Sequence, residues 1–162
     1  MLGWRITALI LLLLLLSFLL VLSNYITPRC HLVTLLDYDS GRLIYSTCLN
    51  DGEAIVYKWK NSLFGLNVTE IFLVRNDSLV LSELIYEDPH GNYEPLVKSD
   101  DLDYLCHEGG PFHAVNISKV YKELIFMVGK VGKPKIIVNG DLIDLEREVG
   151  FGGRVLIKIS DG

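Results

Sequence analysis

Three histidines, His90, His107 and His113, lie in or beside one stretch of the chain that also holds Cys106 and the carboxylates Glu87, Asp88, Asp100, Asp101 and Asp103. These residue types can bind zinc or harder cations. No Cys-x-x-Cys or His-Glu-x-x-His spacing accompanies them, so the expectation is a solvated acidic loop with no bound metal. Ser62 is a candidate nucleophile, but it lacks the Gly-x-Ser-x-Gly elbow that exposes and activates a hydrolase serine. Lys60-Asn61-Ser62 reads instead as a turn. The pairs Gly109-Gly110 and Gly152-Gly153, with Gly150 nearby, are followed by no helix start and no suitably spaced lysine, so they are turns or bulges and not phosphate cradles. The chain is therefore read as having no catalytic residues and no cofactor, and as not being an enzyme.

The elements that must carry these residues divide into two unlike parts. The chain has 162 residues, of which 50% are apolar, and a mean hydropathy of +0.34. Residues 1–23 account for 18 apolar residues and a single charge, Arg5. The remainder has ordinary globular composition and a formal charge of −6, which argues against binding a nucleic-acid backbone. In the run from Ile6 to Leu22 only Thr7 and Ser17 are polar. The run makes about 25 Å of helix, or about 32 Å when extended to Ile26, enough to span a bilayer. No second run approaches that length, which excludes a polytopic membrane protein. The apolar stretch is too long for a typical secretory signal, and Val21-Leu22-Ser23 is a poor cleavage site, so an uncleaved transmembrane or signal-anchor helix over 1–26 is favoured over a removed one. Arg5 and the amino terminus precede the run while Arg29 alone follows it, which places the carboxy-terminal body outside the cytoplasm.

Two features accord with export. The sequons Asn67-Val68-Thr69, Asn76-Asp77-Ser78 and Asn116-Ile117-Ser118 use three of the chain's eight asparagines, making Asn67, Asn76 and Asn116 glycosylation candidates. Cys30 and Cys48 flank a hairpin-like segment, strands 31–36 and 42–47 around Asp37-Tyr38-Asp39-Ser40-Gly41. Folding about Asp39 sets the two cysteines opposite one another at a separation a disulfide accepts; two free thiols remain the alternative. Cys106 is left over as a lone cysteine.

Beyond the hairpin the chain reads as short strands between turns. Ile55, Tyr57 and Trp59 alternate with Lys58 and Lys60 over Glu53 to Lys60. Strands are also expected at Val68 to Arg75, Ser78 to Glu87, Phe112 to Ile117, Leu124 to Val128, Lys135 to Val138, Leu142 to Leu145 and Arg154 to Ile159. Asn139-Gly140 is a strong hairpin signal. Ser118 to Leu124 is the one place where a short helix is an alternative, and 88–111 is expected to be irregular. The pattern predicts one domain over 30–162, an all-β antiparallel sandwich or open barrel of about nine strands.

The run Tyr57-Lys58-Trp59-Lys60-Asn61-Ser62-Leu63-Phe64-Gly65-Leu66-Asn67-Val68-Thr69-Glu70-Ile71-Phe72, with Leu79-Val80-Leu81, Tyr86 and the closing Val149-Gly150-Phe151-Gly152-Gly153-Arg154-Val155, resembles the domain of unknown function 1850 family. The resemblance implies a small exported β domain associated with TRAP-type transporters of the TAXI class, with a TRAP permease or its solute-binding protein as partner. It also implies a polar motif of His-Ser on one strand end and Glu on the next. Here Ser62 and Glu70 match, and Asn61 stands at the histidine position, where it can donate and accept hydrogen bonds but cannot titrate near neutral pH. Asn61, Ser62, Glu70 and Tyr86 are thus candidates for binding a ligand or partner; the alternative is that the polar groups close their own turn. The function expected is a single-pass, membrane-anchored extracytoplasmic binding or accessory domain of a TRAP-type transporter. The alternatives are an envelope structural or protein-interaction domain without a transport role and, third, an exported hydrolase.

Overall fold

The computed structural model describes residues 10–19, 30–62, 65–87, 105–106 and 112–161. Residues 10–19, here α1, are helical, and their leucines, Ile10 and Phe18 are all solvent-exposed. No described helix is long and apolar enough to cross a membrane, and the rest of the expected anchor over 1–26 lies outside the described residues.

Twelve described strands follow: β1 (Cys30–Asp37), β2 (Leu43–Asn50), β3 (Ala54–Lys60), β4 (Asn67–Arg75), β5 (Ser78–Glu87), β6 (Leu105–Cys106), β7 (Phe112–Ala114), β8 (Lys119–Tyr121), β9 (Glu123–Met127), β10 (Lys135–Val138), β11 (Asp141–Asp144) and β12 (Arg154–Asp161). They form two antiparallel sheets, one ordered β2-β1-β12-β9 and the other β11-β10-β3-β4-β5-β7-β6, with β8 also on β5. The expected count of about nine is therefore too low. The additional strands are short pieces, β6 inside the stretch expected to be irregular and β8 where a short helix was the alternative. Lys119, Val120 and Tyr121 pair with Leu81, Val80 and Leu79, so edge hydrogen bonds on β5 outweigh the weak local helical signal.

Period-2 alternation carries the fold. Val33 and Leu35 of β1, Val155 and Ile157 of β12, and Leu124 and Phe126 of β9 turn inward from the smaller sheet. Ile55 and Tyr57, Val68 and Phe72, and Ile136 and Val138 turn inward from the larger. Tyr57 stacks on Phe126 across the gap with centroids 3.9 Å apart, and Phe72 meets the same ring edge-on at 6.3 Å. The two sheets thus share one core in a sandwich-like arrangement. Asn139-Gly140 makes the β10–β11 turn with φ of 51° and 83°, the doubly positive geometry of a two-residue hairpin. Ser82 is the extra residue of a bulge opposite Ile71 and Phe72, and its hydroxyl donates to the Ile71 carbonyl at 3.1 Å.

The β1–β2 hairpin departs from the expected register. Cys30 pairs with Asn50 and Leu32 with Cys48, so the cysteines are diagonal neighbours two residues out of direct opposition. The register shifts at a bulge, where Ile44 is the extra residue opposite Leu35 and Leu36, and in the turn itself the Asp37 carboxylate accepts the Asp39 amide at 3.1 Å and the Ser40 hydroxyl at 2.6 Å. The Ser40 bond chiefly holds that carboxyl below the usual aspartate range. Cys30 and Cys48 are nonetheless bonded, with Cα atoms 5.6 Å apart on the outer face of the sheet.

Between β11 and β12 runs a one-turn helix, α2 (Leu145–Val149). Asp144 caps it by accepting from the Glu146 and Arg147 amides, and Gly150 ends it at φ 73°. Leu145 is its buried residue. A single apolar contact per turn leaves no periodic trace, which is why the sequence reading passes over it.

Candidate functional site

Among the described residues, the inward face of the larger sheet carries one carboxylate. Glu70 on β4 sits directly opposite Tyr57 of β3 on one side and Leu84 of β5 on the other, with Val68 and Phe72 two residues away along its own strand. A period-2 strand with one side against the core would hold an apolar residue there. Glu70 is half-buried, and its Oε1 accepts the Trp59 indole Nε1–H at 2.9 Å. Burial, and then the Glu70 charge, push the Tyr57 hydroxyl far above the ordinary phenol range. Tyr57 therefore keeps its proton beyond the pH at which an ordinary phenol loses it, and Trp59 is held in a fixed orientation by a charge-assisted bond.

Trp59 is the last inward residue of β3, and the chain then turns through Asn61 and Ser62. The Asn61 amide donates to the Leu66 carbonyl at 2.8 Å and the Gly65 amide to the Asn61 carbonyl at 2.9 Å, which returns the chain into β4. Asn61 is buried and Ser62 is exposed. A second segment, the β9–β10 connection, folds against this corner, where the Lys60 amide donates to the Gly132 carbonyl at 2.8 Å. Between the two lies a depression of about 390 Å³ lined by Tyr57, Trp59, Asn61 and Ser62 on one side and by Val131 and Pro134 on the other. Its lining combines an aromatic wall, an amide and a hydroxyl with Lys60 and Lys130, suited to a small polar ligand or an inserted side chain.

The sequence candidates are thus placed unequally. Asn61 and Ser62 line the depression, and Glu70 is linked to it through Trp59. Tyr86 is buried in the core opposite Val68. The reading missed Trp59 and Tyr57 as site residues, because an alternating aromatic pair reads first as core. It missed the β9–β10 connection as well, which is brought to β3 by a contact some 70 residues away in sequence and carries no local signal.

The histidine-rich stretch lies largely outside the described residues, including His90, His107, Asp88, Asp100, Asp101, Asp103 and the Cys106 side chain. Of its members within them, His113 Nε2 is 2.7 Å from Glu83 Oε2, and the Glu87 carboxylate accepts from Asn67 at 3.4 Å. His31, buried on β1, has Nε2 3.1 Å from Asp51 Oδ1. Among the described residues no three His, Cys, Asp or Glu side chains converge as a metal site would require. The asparagines of all three sequons are exposed, Asn76 and Asn116 in left-handed turn conformations at φ 49° and 60°.

Neither a family model, nor a curated protein, nor a solved structure matches this chain.

Proposed function

We propose that this chain is a membrane-anchored extracytoplasmic binding or accessory domain that engages a polar ligand, or a segment of a partner protein, in the depression beside Trp59, Asn61 and Ser62. The observation that carries this reading is the Trp59–Glu70 bond on the core face of the sheet. A carboxylate that orients an indole at the lip of a depression occupies a position where the period-2 pattern of the strand otherwise places an apolar residue. The disulfide accords with an oxidising compartment, and the exposed apolar side chains of α1 accord with insertion in lipid. Assigning a TRAP permease or its solute-binding protein as the partner rests on the family resemblance alone.

Purification of the full chain from membranes in mild detergent tests the reading. Co-purification with a TRAP permease or solute-binding protein that is lost on Ser62→Trp, which fills the depression at an exposed turn, is the expected result. Association that survives Ser62→Trp removes the depression from the interaction. Reproducible absence of any transporter component removes the transport role in favour of an envelope interaction domain.

A further inference from the structure

A second cleft at the same corner adjoins the depression and is dominated by lysines. Lys58 on β3 stands directly opposite Lys135 on β10 in the strand register, Lys60 lies two residues along β3, and Lys133 two residues before Lys135. These four lysines line one cleft of about 300 Å³ together with Asn67, Thr69 and Glu87. Among the described residues none of the four takes part in an ion pair, and Glu87, the single acid of the cleft, is turned to Asn67. Among the described lining residues, four lysines against Glu87 leave an excess of three positive charges, on a body whose formal charge is −6.

Two features of this cluster work against the fold. Like charges directly opposite each other on neighbouring strands destabilise a sheet. Lys133 in addition adopts φ 41°, a left-handed conformation in which the other non-glycine residues of this structure are all asparagines, Asn76, Asn116 and Asn139. Asparagine tolerates that conformation and lysine does not favour it. The strained backbone brings Lys133 to the mouth of the cleft beside the opposed Lys58 and Lys135, and concentrating positive charge there gives the arrangement a use.

We propose that this cleft is an anion site for a phosphate group carrying two or more negative charges. Three excess positive charges exceed what one carboxylate neutralises, whereas a phosphate monoester or diphosphate matches them, and its oxygens can accept from several ammonium groups and from the Thr69 hydroxyl. The cleft volume is at the small end of ligand sites, which suits a compact oxyanion. The cleft adjoins the Trp59 depression and shares Trp59, Lys60, Val131 and Gly132 with it, but the charge argument does not depend on the function proposed there. Asn67 lines the cleft, so a glycan on that sequon and an anion in the cleft are mutually exclusive, and the proposal requires Asn67 unmodified.

Amine-acetylation footprinting of the full chain, read by mass spectrometry, tests this site. Titration with inorganic pyrophosphate at low ionic strength, in the presence of zwitterionic phosphatidylcholine vesicles, is expected to protect Lys58, Lys60, Lys133 and Lys135 saturably while Lys122 and Lys158 stay reactive. Vesicles containing phosphatidic acid, whose headgroup is a phosphate monoester, form the second arm, without pyrophosphate. Protection in the first arm identifies a soluble phosphate as sufficient, and protection only in the second identifies a lipid headgroup. The Lys58→Gln, Lys135→Gln double variant is expected to raise the half-saturating concentration roughly tenfold, as loss of a charge-assisted contact does, with an unchanged or higher Tm. Equal labelling of all lysines in both arms, wild-type half-saturation in that variant, or a glycan on Asn67 overturns the proposal.

Discussion

The Trp59–Glu70 bond is the feature whose energetics can be worked furthest. Its distance of 2.9 Å and ionised acceptor place it among the stronger protein hydrogen bonds, but Glu70 and Trp59 are only half-buried. Discounting for that exposure, the pair is worth roughly 1–2 kcal/mol. A folded body of about 130 residues has an unfolding entropy near 0.27 kcal/mol per kelvin, so the loss of about 1.5 kcal/mol lowers Tm by about 5–6 °C. Glu70→Ala is expected to do this, and Glu70→Gln, which keeps an acceptor for the indole, to cost less than half as much. Trp59→Phe removes the donor but also ring volume, so the pair is isolated by a double-mutant cycle of Trp59→Phe with Glu70→Ala, followed by urea unfolding. A coupling of about 1 kcal/mol or more is expected. A coupling below about 0.3 kcal/mol, within the range of independent sites, refutes the argument that Glu70 is retained on the core face to hold Trp59.

Three further outcomes follow from particular residues. The disulfide closes a loop with a sequence separation of 18, for which the chain-entropy relation gives about 3 kcal/mol, so Cys30→Ser and reduction of the wild type should each lower Tm by about 10 °C, and reduction should add nothing to Cys30→Ser. Tyr57 has a folded pKa above its ordinary 10.0, so both states are protonated below pH 10 and its contribution is intact there. Above pH 10 the unfolded state loses that proton first, stability falls as pH rises toward the folded value, and Tyr57→Phe should flatten this alkaline loss in melts at stepped pH. A Cβ on Gly153 would overlap the Val149 carbonyl oxygen and stand 2.8 Å from both Cβ and Cγ2 of Val149. Since the obstacle includes backbone at the end of α2, Gly153→Ala should destabilise by roughly 2–3 kcal/mol, and a Tm within 2 °C of wild type would contradict the packing described.

Much of the strand pattern was legible because alternation has period two and the core is one-sided. The alternation of Ile55, Tyr57 and Trp59 with Lys58 and Lys60 gave β3 to within a residue, and Asn139-Gly140 located the β10–β11 turn. The cysteine pairing was legible from spacing, although the reason given for it was not correct. A bulge at Ile44 shifts the hairpin register, so the cysteines are diagonal neighbours, and their Cα atoms still lie 5.6 Å apart. The candidate site was legible only in part. Asn61 and Ser62 stand at a strand end where a turn exposes polar groups, whereas the role of Trp59 depends on where the carboxylate of β4 falls in the neighbouring register.

Composition and periodicity alone separate a bilayer-length apolar segment from an acidic body of β type, because both are sums or repeats over neighbouring residues. The pairing of β1 with β12, which closes the body by joining its first and last strands, is not written in any local pattern. Nor is the arrival of the 129–134 connection at the end of β3, or the meeting of Lys58 with Lys135 across a sheet. Such contacts are chosen by how two sheets bury a shared core, a property of the whole chain. They decide that one corner of this domain carries an aromatic depression and, adjoining it, a lysine-lined cleft.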